Sequence, residues 1–437
     1  MTNKSTATPS SVAVIGGGWA GLAAASTLAN EGVSVTLFES APHLGGRARN
    51  IAWQDNTLDN GQHILLGAYR ETLSLMRLIG LDPERLLRRL PLRLLVLDEL
   101  DLNTARLPAP LHLLVGLLRA KGLDRTERLA ALRLMTGLKV TGFKIECDLP
   151  LGQFLKDKQQ PARLTALLWE PLCLAALNTP LHLASTQVFL NVLRDSFSRS
   201  RHDSDLLLPS CGLSDLLPSA AAEFIQRHHG AVHTSTRVSS ITQQGDGYRV
   251  DTADSASLFS HVVVAVSPWQ LAGLTSELPE LAHETTLTSR LEYQPICTVY
   301  LQYTPSAVLP YPMLALHGGM TQWVLDRGQL LGQHGLLAVV ISAEGRHRHL
   351  AQEALAASIM DELRTAMPAL GDPLWTKVVT EKRATFACTP DLARPPQHTA
   401  LPNFYLAGDY TAGDYPATLE GAVRSGVKCA QCILKGC

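Results

Sequence analysis

The turn Gly16-Gly17-Gly18-Trp19-Ala20-Gly21 constrains this chain more than any other segment. It follows the apolar run Val12-Ala13-Val14-Ile15, which suits a buried parallel strand. Residues 22–29, rich in Ala and Leu, then read as a helix that Gly32 ends. Residues 33–39 read as a second strand that closes on Glu39. Strand, glycine turn, helix and strand within a few tens of residues make a βαβ opening. A diphosphate needs backbone N–H groups at a helix N-terminus with no side chain in the way. Gly16 permits the tight turn, Gly18 lets a diphosphate approach beside Trp19 and Ala20, and Gly21 lets the helix pack on the strand. Glu39, with Ser40 beside it, stands where an acid accepts ribose hydroxyls. The combination reads as a dinucleotide site, without saying which dinucleotide.

At 437 residues the chain is too long for one simple core, and two domains are expected. A formal net charge of −1 excludes a broad nucleic-acid footprint. Charged residues make up 18% and leucines are abundant, which suits an apolar ligand or a surface that meets lipid. Residues 1–11 are polar, lack the apolar core of a signal peptide, and are expected to be a disordered lead-in. No run reaches the roughly 18 apolar residues that span a bilayer. The expected location is therefore cytoplasmic, in the cytosol or peripheral on the inner membrane surface. Eight scattered cysteines suit a reducing compartment. Cys429 and Cys432 form a C-x-x-C with Cys437 close behind, but no second pair follows, so they read as small apolar residues of a terminal helix. His228-His229 and the pair His347 and His349 lack companion ligands and are expected at the surface, with no metal.

Residues 71–201 read as mostly helical, with Leu and Arg at helical spacing in 84–93 and 125–138. A helix is expected to about residue 228, and strands at 237–241, 248–252 and 261–266. A second sheet is expected from 293–302 and 336–342, a helix at 353–367, a strand ending at 407 and a helix at 418–434.

The segment His43-Leu44-Gly45-Gly46-Arg47-Ala48-Arg49 resembles the Gly-Gly-Arg segment of the amine oxidase and carotenoid desaturase class of flavoproteins. That resemblance implies FAD, with Gly45, Gly46 and Arg47 near its diphosphate; a guanidinium can offer a phosphate two donors in a fixed fork. At the other end, Gly408-Asp409 closes a strand, and Pro416-Ala417-Thr418-Leu419-Glu420-Gly421-Ala422 opens a helix. In that class the aspartate bonds the ribityl or diphosphate region. The helix start, here Thr418, Leu419 and Ala422, turns its partial positive charge to the flavin pyrimidine edge. Arg237-Val238 and residues 264–268 take the place of the middle FAD strands, with a backbone contact from Val238 to adenine implied. The fold class is then α/β, a Rossmann-type FAD-binding domain of 11–80, 204–270 and 378–437. It is interleaved with a helix-rich α+β substrate-binding domain of 81–203 and 271–377.

Three further segments narrow the resemblance: Asp59-Asn60-Gly61-Gln62-His63-Ile64-Leu65-Leu66-Gly67-Ala68-Tyr69, residues 169–180, and Val192-Leu193-Arg194-Asp195-Ser196. With the C-terminal motifs they resemble the hydroxysqualene dehydroxylase family, from about residue 12 to 430. The resemblance implies that a hydrophobic C30 isoprenoid loses its allylic hydroxyl as water and gains a hydride, giving squalene in hopanoid synthesis. Prenyl synthases are then pathway neighbours. Such chemistry needs a dry pocket, which the Leu- and Phe-rich helices of 86–208 are expected to form. The turn Asn60-Gly61-Gln62-His63 is expected beside the flavin. His63 is the first candidate for the proton donor, because imidazole titrates in a useful range. Asp59 and Tyr410 stand behind it, and a hydrogen-bonded structural histidine remains the other reading. A polyene desaturase, an amine oxidase using Tyr410 and Tyr415 as an aromatic pair, and a non-catalytic flavin or lipid carrier remain open. Peripheral membrane contact is expected through Arg85, Arg88, Arg89 and Arg93 among leucines, as in a basic amphipathic segment, and through the apolar stretch 107–118.

Overall fold

The computed structural model of the protein describes residues 11–436. Cys437 and all of the polar lead-in but Ser11 lie outside them. A five-stranded sheet runs in the order Ala231–His233, Val35–Phe38, Val12–Ile15, His261–Val264, Phe404–Leu406, every pair parallel. Side chains alternate across a strand, so Val12 and Val14 face one layer and Ala13 and Ile15 the other. The first layer holds the helices Trp19–Asn30 and Leu419–Lys435, which pack closely on each other. The second holds the antiparallel strands Val238–Gln244, Gly247–Thr252 and Ala256–Phe259, through Ile241, Tyr248 and Val250. The glycine turn sits at the C-terminal end of the central strand. Gly16 has φ +111°, and a Cβ on Gly21 would lie 1.9 Å from the Gly16 carbonyl oxygen, so that turn admits no side chain.

The second sheet has seven strands in the order Trp375–Phe386, Tyr293–Gln302, Leu336–Ser342, Trp323–Asp326, Met313–Ala315, Arg93–Val96, Leu100–Asn103. Its central strands Leu336–Ser342, Trp323–Asp326 and Met313–Ala315 are buried on both faces. Val299, Val339 and Ile341 pack on the helix Gln352–Ala366, while Leu325, Ala338 and Met313 face the helical layer drawn from 111–197.

Several expectations change. Residues 84–93 are not one helix: Pro83–Leu86 makes a single turn, and Leu87–Leu90 is a strand paired antiparallel with Leu206–Pro209. Pro91 interrupts the run, and the partner strand supplies the backbone bonds a helix would have made locally. Arg85 pairs with Asp82, Arg88 donates to the Gln329 carbonyl, Arg89 pairs with Glu84 and Asp205, and Arg93 pairs with Asp101. These four arginines therefore do not form one basic helical face. The expected helix at 125–138 is present as Arg125–Val140, opened by a capping box between Asp124 and Glu127. The boundary expected at 378 falls inside the strand Trp375–Phe386, which belongs to the second sheet along its whole length. Leu271, Leu274, Leu278 and Leu281 pack on the first sheet, so the boundary at 270 also moves outward. His347 is buried, not at the surface.

One buried ion pair ties the second sheet to the antiparallel hairpin Asn50–Trp53 and Asn56–Asp59. Arg327, at the end of the strand Trp323–Asp326, bonds Asp59 at 2.7 Å, and the two side chains are 1% and 3% exposed. The same nitrogen reaches Gln62 at 2.9 Å, and Nε reaches Gln333 at 2.6 Å. Tyr300 donates to the Asp59 carbonyl at 2.9 Å, and the Leu213 N–H donates to its carboxylate at 3.2 Å. Removing one partner of such a pair strands a buried charge. Arg327→Leu is expected to lower unfolding free energy by about 3–5 kcal/mol in a denaturant titration. The double variant Asp59→Asn with Arg327→Leu should recover part of the loss; a single variant as stable as the parent would show that the pair ties nothing.

Candidate functional site

A cavity of ≈850 Å³ runs from the first glycine turn to the second sheet. One arm is bordered by Gly16, Gly18, Trp19, Ala20, Glu39, Ser40 and, opposite them, Arg237 and Val238. The middle is bordered by Gly45, Gly46, Arg47, by residues 60–63, and by Gly408, Asp409, Tyr410, Thr418, Leu419 and Ala422. The far arm is apolar. Leu172, Phe189, Leu193, Phe197 and Leu206 form one wall; Met313, Trp323, Leu325 and Val340 of the second sheet form the other. Of the residues singled out from sequence, Gly21 and Asp59 do not border the cavity. Gly21 lies behind the turn, against Gly16. Asp59 points away into its pair with Arg327, which removes it as a proton donor.

The narrow arm is assembled by backbone contacts. The Gly45 N–H donates to the Gly17 carbonyl at 2.8 Å, bringing the second glycine pair against the first. Glu39 accepts from the Gly17 N–H at 2.7 Å and from the Ala41 N–H at 2.7 Å, so the acid also holds the turn. The first helix has no side-chain cap at Gly18 and no acid in its first turn. Its leading N–H groups have no intrahelical partner and border the cavity, and beside Gly18 a Cβ would meet only Gly46 at 4.0 Å. The terminal helix is capped by Thr418, whose hydroxyl accepts from the Gly421 N–H at 3.1 Å. Glu420 is turned away, bonding Thr72 and Arg424, so its charge does not oppose an anionic ligand at that helix start.

Arg47 differs from expectation. Its fork is directed at protein: Nη2 bonds both carboxylate oxygens of Asp409 at 2.7 Å, and Nη1 bonds the Ala384 carbonyl at 2.6 Å. The side chain is 32% exposed, and that exposure is to the cavity. Burial weakens its proton affinity, but the charge and hydrogen bonds of Asp409, with Glu381 behind, raise it above the usual guanidinium value. Arg394 braces the same loop from below, donating to the carbonyls of Gly413 and Tyr415.

His63 borders the cavity, with Nδ1 2.8 Å from the Gly61 carbonyl oxygen. Burial lowers its pKa, and the Arg47 charge acts the same way against the pull of Gly61 and Asp59. It is the one histidine among the residues bordering the cavity. Tyr410 is 1% exposed, and its hydroxyl has no hydrogen-bond partner among the described residues. Burial, with the Asp409 charge, pushes the phenol up, so it stays protonated. Tyr415 is already engaged: its hydroxyl donates to Asp195 at 2.9 Å and Arg424 lies 4.0 Å over its ring. Cys429 is buried with its thiol pushed up by desolvation, and no cluster of three His, Cys, Asp or Glu side chains is placed to hold a metal among the described residues.

Sequence reasoning missed Arg327, Arg394, Glu381 and the sheet wall of the apolar arm. The strands Met313–Ala315 and Trp323–Asp326 are short apolar runs that could have been read as strands. Which of their faces meets the cavity depends on pairing with distant residues, which no local signal carries.

The glycine cradle, the uncapped helix start and the long cavity fit an FAD molecule. The family of flavin containing amine oxidoreductases matches residues 19–434. The hydroxysqualene dehydroxylase of Rhodopseudomonas palustris is 31% identical over 97% of this chain and 98% of that protein. The hydroxysqualene dehydroxylase of Sinorhizobium fredii is 27% identical over 98% of this chain and 99% of its own length. The solved structure of cyclohexylamine oxidase from Brevibacterium oxydans shares the fold, with a TM-score of 0.72 over 98% of this chain and 99% of that one, at 16% identity. The chain therefore belongs to the flavin-containing amine oxidoreductases, within the hydroxysqualene dehydroxylase family, and is an FAD-dependent oxidoreductase.

Proposed function

We propose that this enzyme converts hydroxysqualene to squalene by reductive dehydroxylation. The observation that carries the reading is the join between the two arms: an apolar arm opens directly on the cofactor arm, with His63 and Tyr410 where they meet. The dehydroxylase relatives, similar over nearly their whole length, support the same reaction. Bound reduced FAD supplies a hydride. Gly16, Gly18, Ala20, Gly45 and Gly46 would offer backbone to its diphosphate, Glu39 and Ser40 would take the adenosine ribose, and Val238 would take adenine. Asp409, oriented by Arg47, would take the ribityl side, and the Thr418, Leu419 and Ala422 helix start would take the pyrimidine edge.

The apolar arm holds the C30 chain and keeps water from the allylic carbon as its C–O bond breaks. The proton that leaves with the oxygen comes from His63 Nε2, since Nδ1 is held at the Gly61 carbonyl. The Tyr410 ring borders the cavity while its hydroxyl stays protonated and sealed from it, so the phenol shapes the wall and His63 carries the proton. The step balances: the substrate loses hydroxide, which with one proton becomes water, and the carbon gains one hydride. The imidazole then takes a proton back from solvent.

Anaerobic incubation of the reduced holoenzyme with hydroxysqualene, followed by lipid analysis, tests the reading. Squalene is expected; a conjugated polyene or an aldehyde as the only product would overturn it. His63→Gln should lower kcat by roughly 10²–10⁴-fold with FAD content unchanged; unchanged turnover would remove His63 from the reaction. Because burial lowers the His63 pKa from 6.5, its protonated fraction falls as pH rises. Turnover should therefore climb as pH drops from 8 toward roughly 6, and His63→Gln should flatten that climb. Stability runs the other way. His63, His112, His261 and His347 are all held neutral by burial, so the unfolded chain binds more protons than the folded one. Their contribution is fully present above pH 6.5 and is lost as pH falls below it, which thermal melts across the same range should show.

A further inference from the structure

We infer that the helix pair Leu111–Arg119 and Arg125–Val140 is a docking face for an anionic lipid bilayer. The first helix buries His112, Leu113, Gly116 and Leu117 on its inner side. Its outer stripe is Leu111, Leu114, Val115 and Leu118, spaced three and four residues apart on one face. Leu111 is 52% exposed and Leu118 51%, with Leu107 at 37% just ahead of the helix. A water-facing helix carries polar residues there; this one carries only aliphatic ones. The outer stripe of the second helix alternates Arg125, Leu129, Arg133 and Val140, with Leu129 60% and Val140 89% exposed.

Charge selects the partner. Residues 104–144 hold eight Lys and Arg against two acids, Asp124 and Glu127, a surplus of six in a chain whose formal net charge is −1. Seven of the eight are exposed: Arg106, Arg119, Lys121, Arg125, Arg133, Lys139 and Lys144. None of the seven is in an ion pair among the described residues, whereas Glu127 is buried and paired with Arg163. Exposed aliphatic side chains ringed by unpaired basic ones match an interface of acyl chains and anionic headgroups. The face also lies over the apolar arm. Leu113, Leu117 and Met135 of the two helices share a small void with Leu94, Leu193 and Phe197, which border the main cavity as well. A chain lifted from the bilayer at this face would enter the arm without crossing water, a use that rests on the isoprenoid reading above.

Flotation of FAD-loaded protein tests the face, with vesicles of phosphatidylglycerol mixed with phosphatidylcholine and with vesicles of phosphatidylcholine alone. Binding to the anionic vesicles, weakened by salt, is expected. The variants Leu111→Glu with Leu118→Glu, and Arg125→Glu with Arg133→Glu, should each cut the bound fraction roughly tenfold or more. Both should keep parental flavin content, thermal midpoint and turnover of detergent-dispersed hydroxysqualene, since none of these side chains borders the cavity. Parent protein that floats with neither vesicle, that floats equally with both regardless of salt, or that pairs with a second copy through this face instead would overturn the proposal. So would folded variants that float like the parent. Vesicle binding by a protein that makes no squalene in detergent would overturn the substrate reading and leave the docking face standing.

Discussion

The fork of Arg47 on Asp409 is the contact on which the rest of the site depends. It joins residue 47, just past the second strand of the nucleotide fold, to residue 409, at the end of its last strand, and through Ala384 it also holds the second sheet. Residue 47 thus meets two stretches more than three hundred residues further along the chain at one guanidinium. Nη2 spans the carboxylate while Nη1 takes the Ala384 carbonyl, so one planar group holds both acceptors at a fixed angle. Arg394 grips the following loop through the Gly413 and Tyr415 carbonyls, so Asp409 is held from both sides. The first and last stretches of the nucleotide fold share that charged centre.

The nucleotide fold was legible because its signals are local. Four apolar residues, a glycine turn and an alanine-rich helix follow one another directly, and the acid comes at the end of the next strand. The resemblance of residues 43–49, 59–69 and 405–422 to flavoprotein motifs carried the cofactor for the same reason. Residues 84–93 misled because leucines and arginines at that spacing satisfy a helix and a strand about equally. The strand wins only through pairing with Leu206–Pro209, more than a hundred residues away. Arg327 gave no signal at all. An arginine beside Gly328 looks like a turn residue, and only the fold reveals that its charge is buried against Asp59.

The candidate acids illustrate how burial sorts chemistry that a residue list cannot. In sequence His63 stood ahead of Asp59 and Tyr410 because of its titration range and its expected place beside the flavin. In the structure the aspartate is neutralised by an arginine on the far side of its loop, the imidazole is desolvated but keeps a backbone acceptor, and the phenol is sealed in with its hydroxyl unpaired. The Asp59 pair nevertheless serves the site. Arg327 also bonds Gln62, so the clasp between the second sheet and the hairpin ending at Asp59 sets the position of the turn that carries His63.

The ≈850 Å³ cavity lies between the two sheets, so the space meant for cofactor and substrate is also the space that a core would otherwise fill. Trp323, Phe189 and Leu325 belong at once to the hydrophobic core and to the cavity wall. A ligand that binds the folded chain and not the unfolded one adds stability in proportion to the logarithm of its concentration. Flavin supply therefore governs how much of this protein survives in a cell as well as how fast it turns over.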